Sequence, residues 1–517
     1  MKLLGLLFAT ALLGAAAPPE NVDLIIRGGT IYTGSDAAFV GDVAISGGRV
    51  RAVGPHLSLS AARVIDAHGM IVAPGFIDPH THVGDQLADA DARTRLVPAF
   101  LMQGVTTAFI GNDGGGDLDV AAVLGSAQGR PVGINYAAYV GFGTVRRAVI
   151  GDADRAPTAD ELARMRQMVA AGMCQGALGL STGLFYAPQS FATTGEVAAL
   201  AQEAGVRGGV YDSHLRDESS YSIGLAAAVD EAITIGREGR LPVHISHIKA
   251  LGVDVQGQAP AIIARIEAAR AAGQRVTADQ YPWSASGTSL AAALVPRWAH
   301  DGGRPALLRR FDDSSVAERL RADMTENLRR RGGADSLLIS EGQYRGQRLS
   351  QAARTLGLDP VAAAIAVIRV DDTSVASFNQ TEEDIAAFMR RPWVMTGSDA
   401  SGGHPRAFGS FARKYAEYVR RLHVIGLRAF IERSTSLTAD TFGLVDRGRL
   451  RAGAFADIVV FDPETYAARS TYEEPTLLAA GVRTVLVNGA LAVDDGALTG
   501  AAAGRGLAHT PTAGTCP

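Results

Sequence analysis

Ala73-Pro74-Gly75-Phe76-Ile77-Asp78-Pro79-His80-Thr81-His82 closes an apolar run that begins at Met70. The run has the length and composition of a buried strand, and two histidines one residue apart stand just beyond it. Side chains alternate along a strand, so His80 and His82 leave its end on the same side. Two imidazoles aimed at one point, with Asp78 beside them, read as half of a divalent-metal chelate rather than as a pair of surface loop histidines.

Downstream, β-type runs alternate with Ala-rich helical stretches, the pattern of parallel βα units. After residues 71–78, strands are expected at 105–111, 133–140, 177–181, 209–213, 242–246, 275–281 and 393–398, with intervening helices such as 158–171 and 224–236. Eight such units suggest an α/β fold built as a (β/α)8 TIM-like barrel spanning residues 74–439, with its chemistry at the C-terminal ends of the strands. Residues 284–343 break the alternation. They carry a charged amphipathic stretch, 316–331, with Leu320, Met324 and Leu328 at helical spacing. Following the seventh strand, this insertion is placed to stand over the barrel mouth as a lid.

Composition sets the class. A chain of 517 residues with 47% hydrophobic and 20% charged residues suits a large barrel plus a satellite domain. The net charge of -4 and the lack of a long basic block set aside nucleic acid and anionic membranes as partners. Met1 to Ala17 has a lysine, a short apolar run and small residues. It is read as a bacterial-type signal peptide, cut after Ala16 in preference to Ala17, so the protein is expected to be exported to the periplasm or beyond. Only Cys174 and Cys516 occur, so there is no disulfide scaffold. Cys174 is read as a small buried thiol, a bridge between the two stays open, and residues 501–517 read as a disordered tail with too little apolar pattern to pack.

Reading the strand ends in turn gives His80 and His82, Asn112-Asp113, Ser181, His214, His247, Tyr281 and Asp399. In Val243-His244-Ile245-Ser246-His247, alternation puts His247 on one face and His244 on the other, so His247 is the ligand and His244 a packed residue. A metal at this point lowers the pKa of bound water and polarises a carbonyl. Asp399, at the end of the last strand, is placed to take the water's proton and pass it to a leaving amide nitrogen. Lys249, Arg406 and Tyr281 supply cations and a hydroxyl near the same mouth, where arginine's planar fork suits a substrate carboxylate.

His80-Thr81-His82 at the end of a first barrel strand resembles the amidohydrolase superfamily. A nearer resemblance lies in Gly176-Ala177-Leu178-Gly179-Leu180-Ser181-Thr182-Gly183-Leu184 with Tyr186 and Pro188, Ser213-His214-Leu215-Arg216-Asp217-Glu218, Ser246-His247-Ile248-Lys249, Asp279-Gln280-Tyr281-Pro282, Gly397-Ser398-Asp399 and His404-Pro405-Arg406. These motifs are similar to the D-aminoacylase (N-acyl-D-amino-acid deacylase) family over residues 22–506. The resemblance implies Zn2+, one ion or two, for which the strand ends offer His80, His82, Asp113, His214, His247 and Asp399. It also implies a carboxylate clamp of Lys249, Tyr281 and Arg406, with Tyr186 at the reacting carbonyl. Short β-type runs at 22–73 and 440–500 are, by the same resemblance, one small β-sandwich made from both chain ends.

The sequence departs from that family at one place. Members carry a cysteine in a Gly-Asn-Cys-Gly setting, where this chain has Gly111-Asn112-Asp113-Gly114. A carboxylate there still offers oxygen or bridges two metals, but it is a harder donor than a thiolate. The carboxylated lysine of cyclic-amide amidohydrolases is also missing, its place falling in Ser181-Thr182-Gly183. The expected activity is hydrolysis of N-acyl-D-amino acids, small molecules with a free carboxylate. A dipeptidase or other small-amide hydrolase, and a metal-poor periplasmic ligand-binding pseudoenzyme, stay open as alternatives.

Overall fold

The computed structural model describes residues 21–517. The expected signal peptide, residues 1–17, lies outside the described residues. Among those described, no helix is long and apolar enough to cross a membrane.

Both ends of the chain meet in one nine-stranded sheet. Asn21–Ile31, Phe39–Ser46, Arg49–Gly54, Ser60–Asp66 and Ile71–Pro74 come from the N-terminal side, and Ile458–Phe461, Val482–Val487, Ala490–Asp494 and Ala497–Leu498 from the C-terminal side. Ile71–Pro74 pairs antiparallel with Ile458–Phe461 and so stitches the two groups together. Leu24, Ile26, Val43, Ile458, Val460 and Leu486 share one apolar core beneath it.

The expected first strand, 71–78, is in fact two. Gly75 donates its N–H to Asp457 of the terminal sheet, whereas Phe76 donates to Gly104 beside a parallel sheet, so Ile71–Pro74 and Phe76–Asp78 belong to different sheets. The crossing needs a glycine, because a Cβ on Gly75 would lie 2.2 Å from Thr106 Oγ1. The expected strand 133–140 breaks similarly at Tyr139, into Asn135–Ala138 and Val140–Gly141.

The parallel strands fall into two sheets. One holds Phe76–Asp78, Val105–Ile110 and Asn135–Ala138; the other runs Val140–Gly141, Gly179–Gly183, Val210–His214, Val243–Ile245, Val276–Gln280 and Val394–Thr396 in spatial order. Val105–Ile110 and Gly179–Gly183 are buried at every position, as strands covered on both faces must be. Helices such as Ala159–Cys174 cover them, that one started by a Thr158–Glu161 capping box. At the far ends, Asp399 N–H donates to His80 O and His82 N–H to Ala400 O. The first and last parallel strands are therefore tied together at the functional end.

The insertion is longer than the sequence suggested. Ala285–Ser289, Ser374–Phe378 and Leu337–Ile339 form a separate antiparallel sheet in that order, so the unit extends to Phe378 rather than residue 343. Its second half, with helices Leu349–Leu356 and Pro360–Val370 before a strand, has the sequence texture of an ordinary βα unit. Only the antiparallel pairing sets it apart. It has its own core around Leu294, Leu320, Met324, Leu337 and Ile368.

Residues 501–517 are not a disordered tail. Gly504 donates to Val132, Leu507 to Tyr136 and His509 to Gly176, and Cys516 is disulfide-bonded to Cys174. Cys174 is thus a bridge partner rather than a free buried thiol. Backbone pairing and a covalent tie hold this segment, and neither leaves the apolar pattern by which packing is read from sequence.

Candidate metal-centred active site

Asp113 lies at the middle of the site. Its Oδ1 is 3.4 Å from His80 Nε2, 3.5 Å from His214 Nδ1 and 3.7 Å from His247 Nε2, and its Oδ2 is 3.5 Å from His82 Nε2. The strand ends deliver these groups as the alternation required: His80 and His82 from beyond Phe76–Asp78, Asp113 after Val105–Ile110, His214 ending Val210–His214 and His247 just past Val243–Ile245. Asp399 closes the ring, with Oδ1 3.6 Å from His80 Nε2 and 3.2 Å from His82 Nε2.

Three of these residues sit in the left-handed region, with φ of 55° at Asp113, 34° at His247 and 50° at Asp399. Such conformations persist only where surroundings impose them, and they gather at functional sites. Around Asp113 the surroundings are explicit. Ser181 Oγ accepts from Gly114 N–H and donates to Gly111 O, while Gln189 Nε2 donates to Asp113 O. Ser181 therefore holds the loop of Asp113 and does not line the cavity.

The donor set fits a divalent cation. His80 Nε2, Asp113 Oδ1 and both nitrogens of His214 are buried without a hydrogen-bond partner. Leaving such atoms unpaired in the interior is costly. His80-His82-Asp113, Asp113-His214-His247 and His80-His247-Asp399 each bring three donor atoms within 4.8 Å of one another. Asp113 is common to the first two.

Electrostatics prepare these groups. Burial pushes His80 down to about 3, so it is neutral. Burial works to raise Asp113, but His214 and His80 more than offset it and hold the carboxylate well below its ordinary range. Beneath the site, burial pushes Asp78 up to about 8 and Asp212 up to about 7. Asp78 accepts from Ser398 N–H, and Asp212 accepts from Asn112 Nδ2 and Ser246 Oγ. His244 faces this floor, 2.9 Å from Asp279 Oδ2, as a packed residue.

A cavity of about 370 Å³ opens over the cluster, lined by His82, Asp113, His214, His247 and Asp399 with Tyr186, Lys249 and Arg406. Arg406 Nη1 lies 2.6 Å from Asp399 Oδ2, and its buried Nε has no acceptor. Lys249 is fully engaged: Nζ is 2.5 Å from Glu218 Oε1 and 2.6 Å from His247 Nδ1, and it donates to His247 O. Tyr281 does not line the cavity. Its ring lies under both cations, 5.7 Å from Lys249 Nζ and 5.2 Å from Arg406 Cζ, and its hydroxyl accepts from Gln380. Tyr186 packs on His214 and its hydroxyl reaches Thr288 Oγ1 at 3.4 Å.

One residue escaped the sequence reading. Glu218 is buried, lines the cavity and places Oε1 3.1 Å from His247 Nδ1. Glu218 Oε1 and Lys249 Nζ, themselves paired, both stand at His247 Nδ1 and so hold the ring with its Nε2 towards Asp113. The signal was present, since Glu218 stands four residues after His214 in the same motif, but a carboxylate in a loop carries no periodic signature.

The chain matches the amidohydrolase family over residues 63–493. It is 34% identical to the D-aminoacylase of Alcaligenes xylosoxydans xylosoxydans over 95% of this chain and 98% of that one. A solved D-aminoacylase with a binuclear metal centre is 32% identical and covers 94% of this chain and 100% of its own, with a TM-score of 0.81. The N-acyl-D-glutamate deacylase of Bordetella bronchiseptica, solved with zinc and a phosphonate mimic of the tetrahedral intermediate, is also 32% identical. It covers 95% of this chain and 100% of its own, with a TM-score of 0.80. The chain belongs to the amidohydrolase family, within its D-aminoacylase group.

Proposed function

We propose that this protein hydrolyses the amide bond of N-acyl-D-amino acids to a carboxylate and a D-amino acid. The observation that carries the reading is Asp113 set between two histidine pairs, with the Asp399–Arg406 pair on the wall of the same cavity. The D-stereochemistry is taken from the relatives. Zinc is the assigned metal; Asp113, His214 and His247 would hold one ion and Asp113, His80 and His82 a second, with Asp399 within reach of His80 and His247. When bound, the metal acidifies a water and polarises the amide carbonyl.

The chain's own groups do the rest. Asp399 accepts a proton as the water oxygen bonds to the carbonyl carbon. The C–N bond then breaks with its electron pair left on nitrogen, and Asp399 delivers the proton there. Arg406 receives the substrate carboxylate, its buried Nε having no other acceptor, while Lys249 and Tyr281 back it with charge and a ring. Tyr186 lines the cavity beside His214, where it can reach the reacting carbonyl.

In this reading the parallel strands close into a (β/α)8 barrel over residues 74–439, supported by the bonds from Asp399 to His80 and from His82 to Ala400. Residues 22–73 and 440–500 form the composite β-sandwich and the insertion serves as a lid. Export through a signal peptide at residues 1–17 is supported by the Cys174–Cys516 bridge, since disulfides persist in oxidising compartments.

The test is a panel of N-acyl-D-amino acids, their L-enantiomers and dipeptides, assayed with zinc supplied. Turnover of the D-series is expected. Turnover of L-substrates or dipeptides alone overturns the assignment.

A further inference from the structure

Beyond Arg406 and Lys249 the cavity holds a third buried cation, which the reaction does not use. Arg331 follows the insertion helix Ala317–Arg330 and is 1% exposed, yet it lines the cavity with His214 and Arg406. Its Nε donates to Tyr221 Oη at 2.6 Å, while its Nη1 is buried without an acceptor. Among the described residues no ion pair is found for it. Neighbouring arginines are neutralised: Arg329 by Asp254 and Glu326, Arg330 by Glu326 and Arg216 by Glu231.

A second guanidinium stands nearby, with the buried carboxylate of Asp217 close enough to act on it but making no ion pair with Arg331 among the described residues. Arg297 lies over the Phe185 ring at 3.8 Å and 5.2 Å from the Tyr221 ring, also with a buried nitrogen lacking an acceptor. A guanidinium taken out of water without a partner is unfavourable, and the planar fork of arginine matches a carboxylate. Ser286, Thr288, Ser289 and Ser340 line the same cavity, a polar wall that suits a charged group better than an apolar side chain.

One carboxylate of the substrate already has Arg406. We propose that Arg331 receives a second one, so that the preferred substrates are N-acyl-D-amino acids with two carboxylates. This inference rests on the deacylase reading given above. The second carboxylate belongs either to the side chain of the D-residue or to the acyl arm, and the two sources are separable by experiment.

The metal-loaded, full-length enzyme is assayed on N-acetyl-D-glutamate against N-acetyl-D-glutamine and N-acetyl-D-methionine, and on N-succinyl-D-methionine against N-butyryl-D-methionine. One diacid is expected to exceed its neutral counterpart in kcat/KM by roughly tenfold or more, the scale of a charge-assisted bond. A preference in the first set assigns the side chain and in the second the acyl arm. In Arg331→Gln the diacid-to-neutral ratio should fall at least about tenfold, through KM, and Arg331→Lys should recover part of it. Neutral substrates turned over as well as both diacids by the unaltered enzyme would overturn the inference and leave the deacylase reading intact. So would an equal loss on both substrates in Arg331→Gln. No turnover of any N-acyl-D-amino acid overturns the deacylase reading itself, and this inference with it.

Discussion

The carboxylate of Asp399 and the guanidinium of Arg406 lie 2.6 Å apart, both buried, at the wall of the cavity that holds the histidines. Burial works to raise the Asp399 pKa, but Arg406, then His247 and His82, outweigh it and hold the carboxylate well below its ordinary range. The pair keeps a proton acceptor ionised beside the place where a substrate carboxylate docks, so one arginine serves both ends of the reaction.

Arg406→Ala should therefore lower kcat/KM by roughly 10- to 150-fold, equivalent to about 1.5–3 kcal/mol for a lost charge-assisted bond, with KM carrying the larger share. Arg406→Lys should keep part of the activity. Steady-state kinetics on the free acid and on its carboxamide check this. Equal hydrolysis of the two by the unaltered enzyme would remove the clamp.

Asp113 combines a ligand position with a left-handed backbone, at φ 55°. Asparagine tolerates that conformation, so Asp113→Asn removes the charge without adding strain. It should lose metal on dialysis, as should Asp113→Ala. Asp113→Cys should hold zinc at least as tightly as the parent, because thiolate is the softer donor, at the expense of about 1 kcal/mol of backbone strain. Metal content after dialysis decides it. Unchanged metal and rate in both the alanine and asparagine variants would leave Asp113 a turn residue.

The histidine positions were legible because strand alternation decides them, as the contrast between His247 at the cavity and His244 on Asp279 shows. Charge in loops and on inserted elements was not. Glu218 and Arg331 reach the cavity only through tertiary packing of segments whose local pattern is that of solvated surface. The break at Gly75 was hidden for a different reason: a strand that changes sheets keeps the same apolar texture on both sides of the crossing.

The bridge from Cys174 to Cys516 fastens a segment otherwise held by scattered backbone bonds. A disulfide of this kind is typically worth about 2–4 kcal/mol. Cys516→Ser should lower Tm by a few degrees and expose residues 501–517 to limited proteolysis, and reductant should do the same to the parent. Identical Tm and cleavage with and without reductant would show that the bridge does not hold the tail.

Lys414 offers a pH test away from the metal. It is fully buried, and among the described residues its Nζ finds only Met395 O, at 3.4 Å. Burial, helped by Arg433, pushes it down to about 7, with Asp279 opposing. In the unfolded chain it titrates near about 10.4. Below about pH 7 the lysine is charged in both states, and folding bears the full cost of burying an ammonium. Between the two pKa values the unfolded state binds more protons, so this group's unfavourable contribution shrinks as pH rises and is gone once both states are neutral. Lys414→Met removes the charge and keeps most of the volume. It should raise stability by about 2 kcal/mol at pH 7, with the gain largest at or below that pH and fading towards pH 10. Thermal unfolding of parent and variant at pH 6.5 and 9.5 measures the difference. A gain of equal size at both pH values, or a loss at both, would mean that Lys414 is held by partners stronger than a single distant carbonyl.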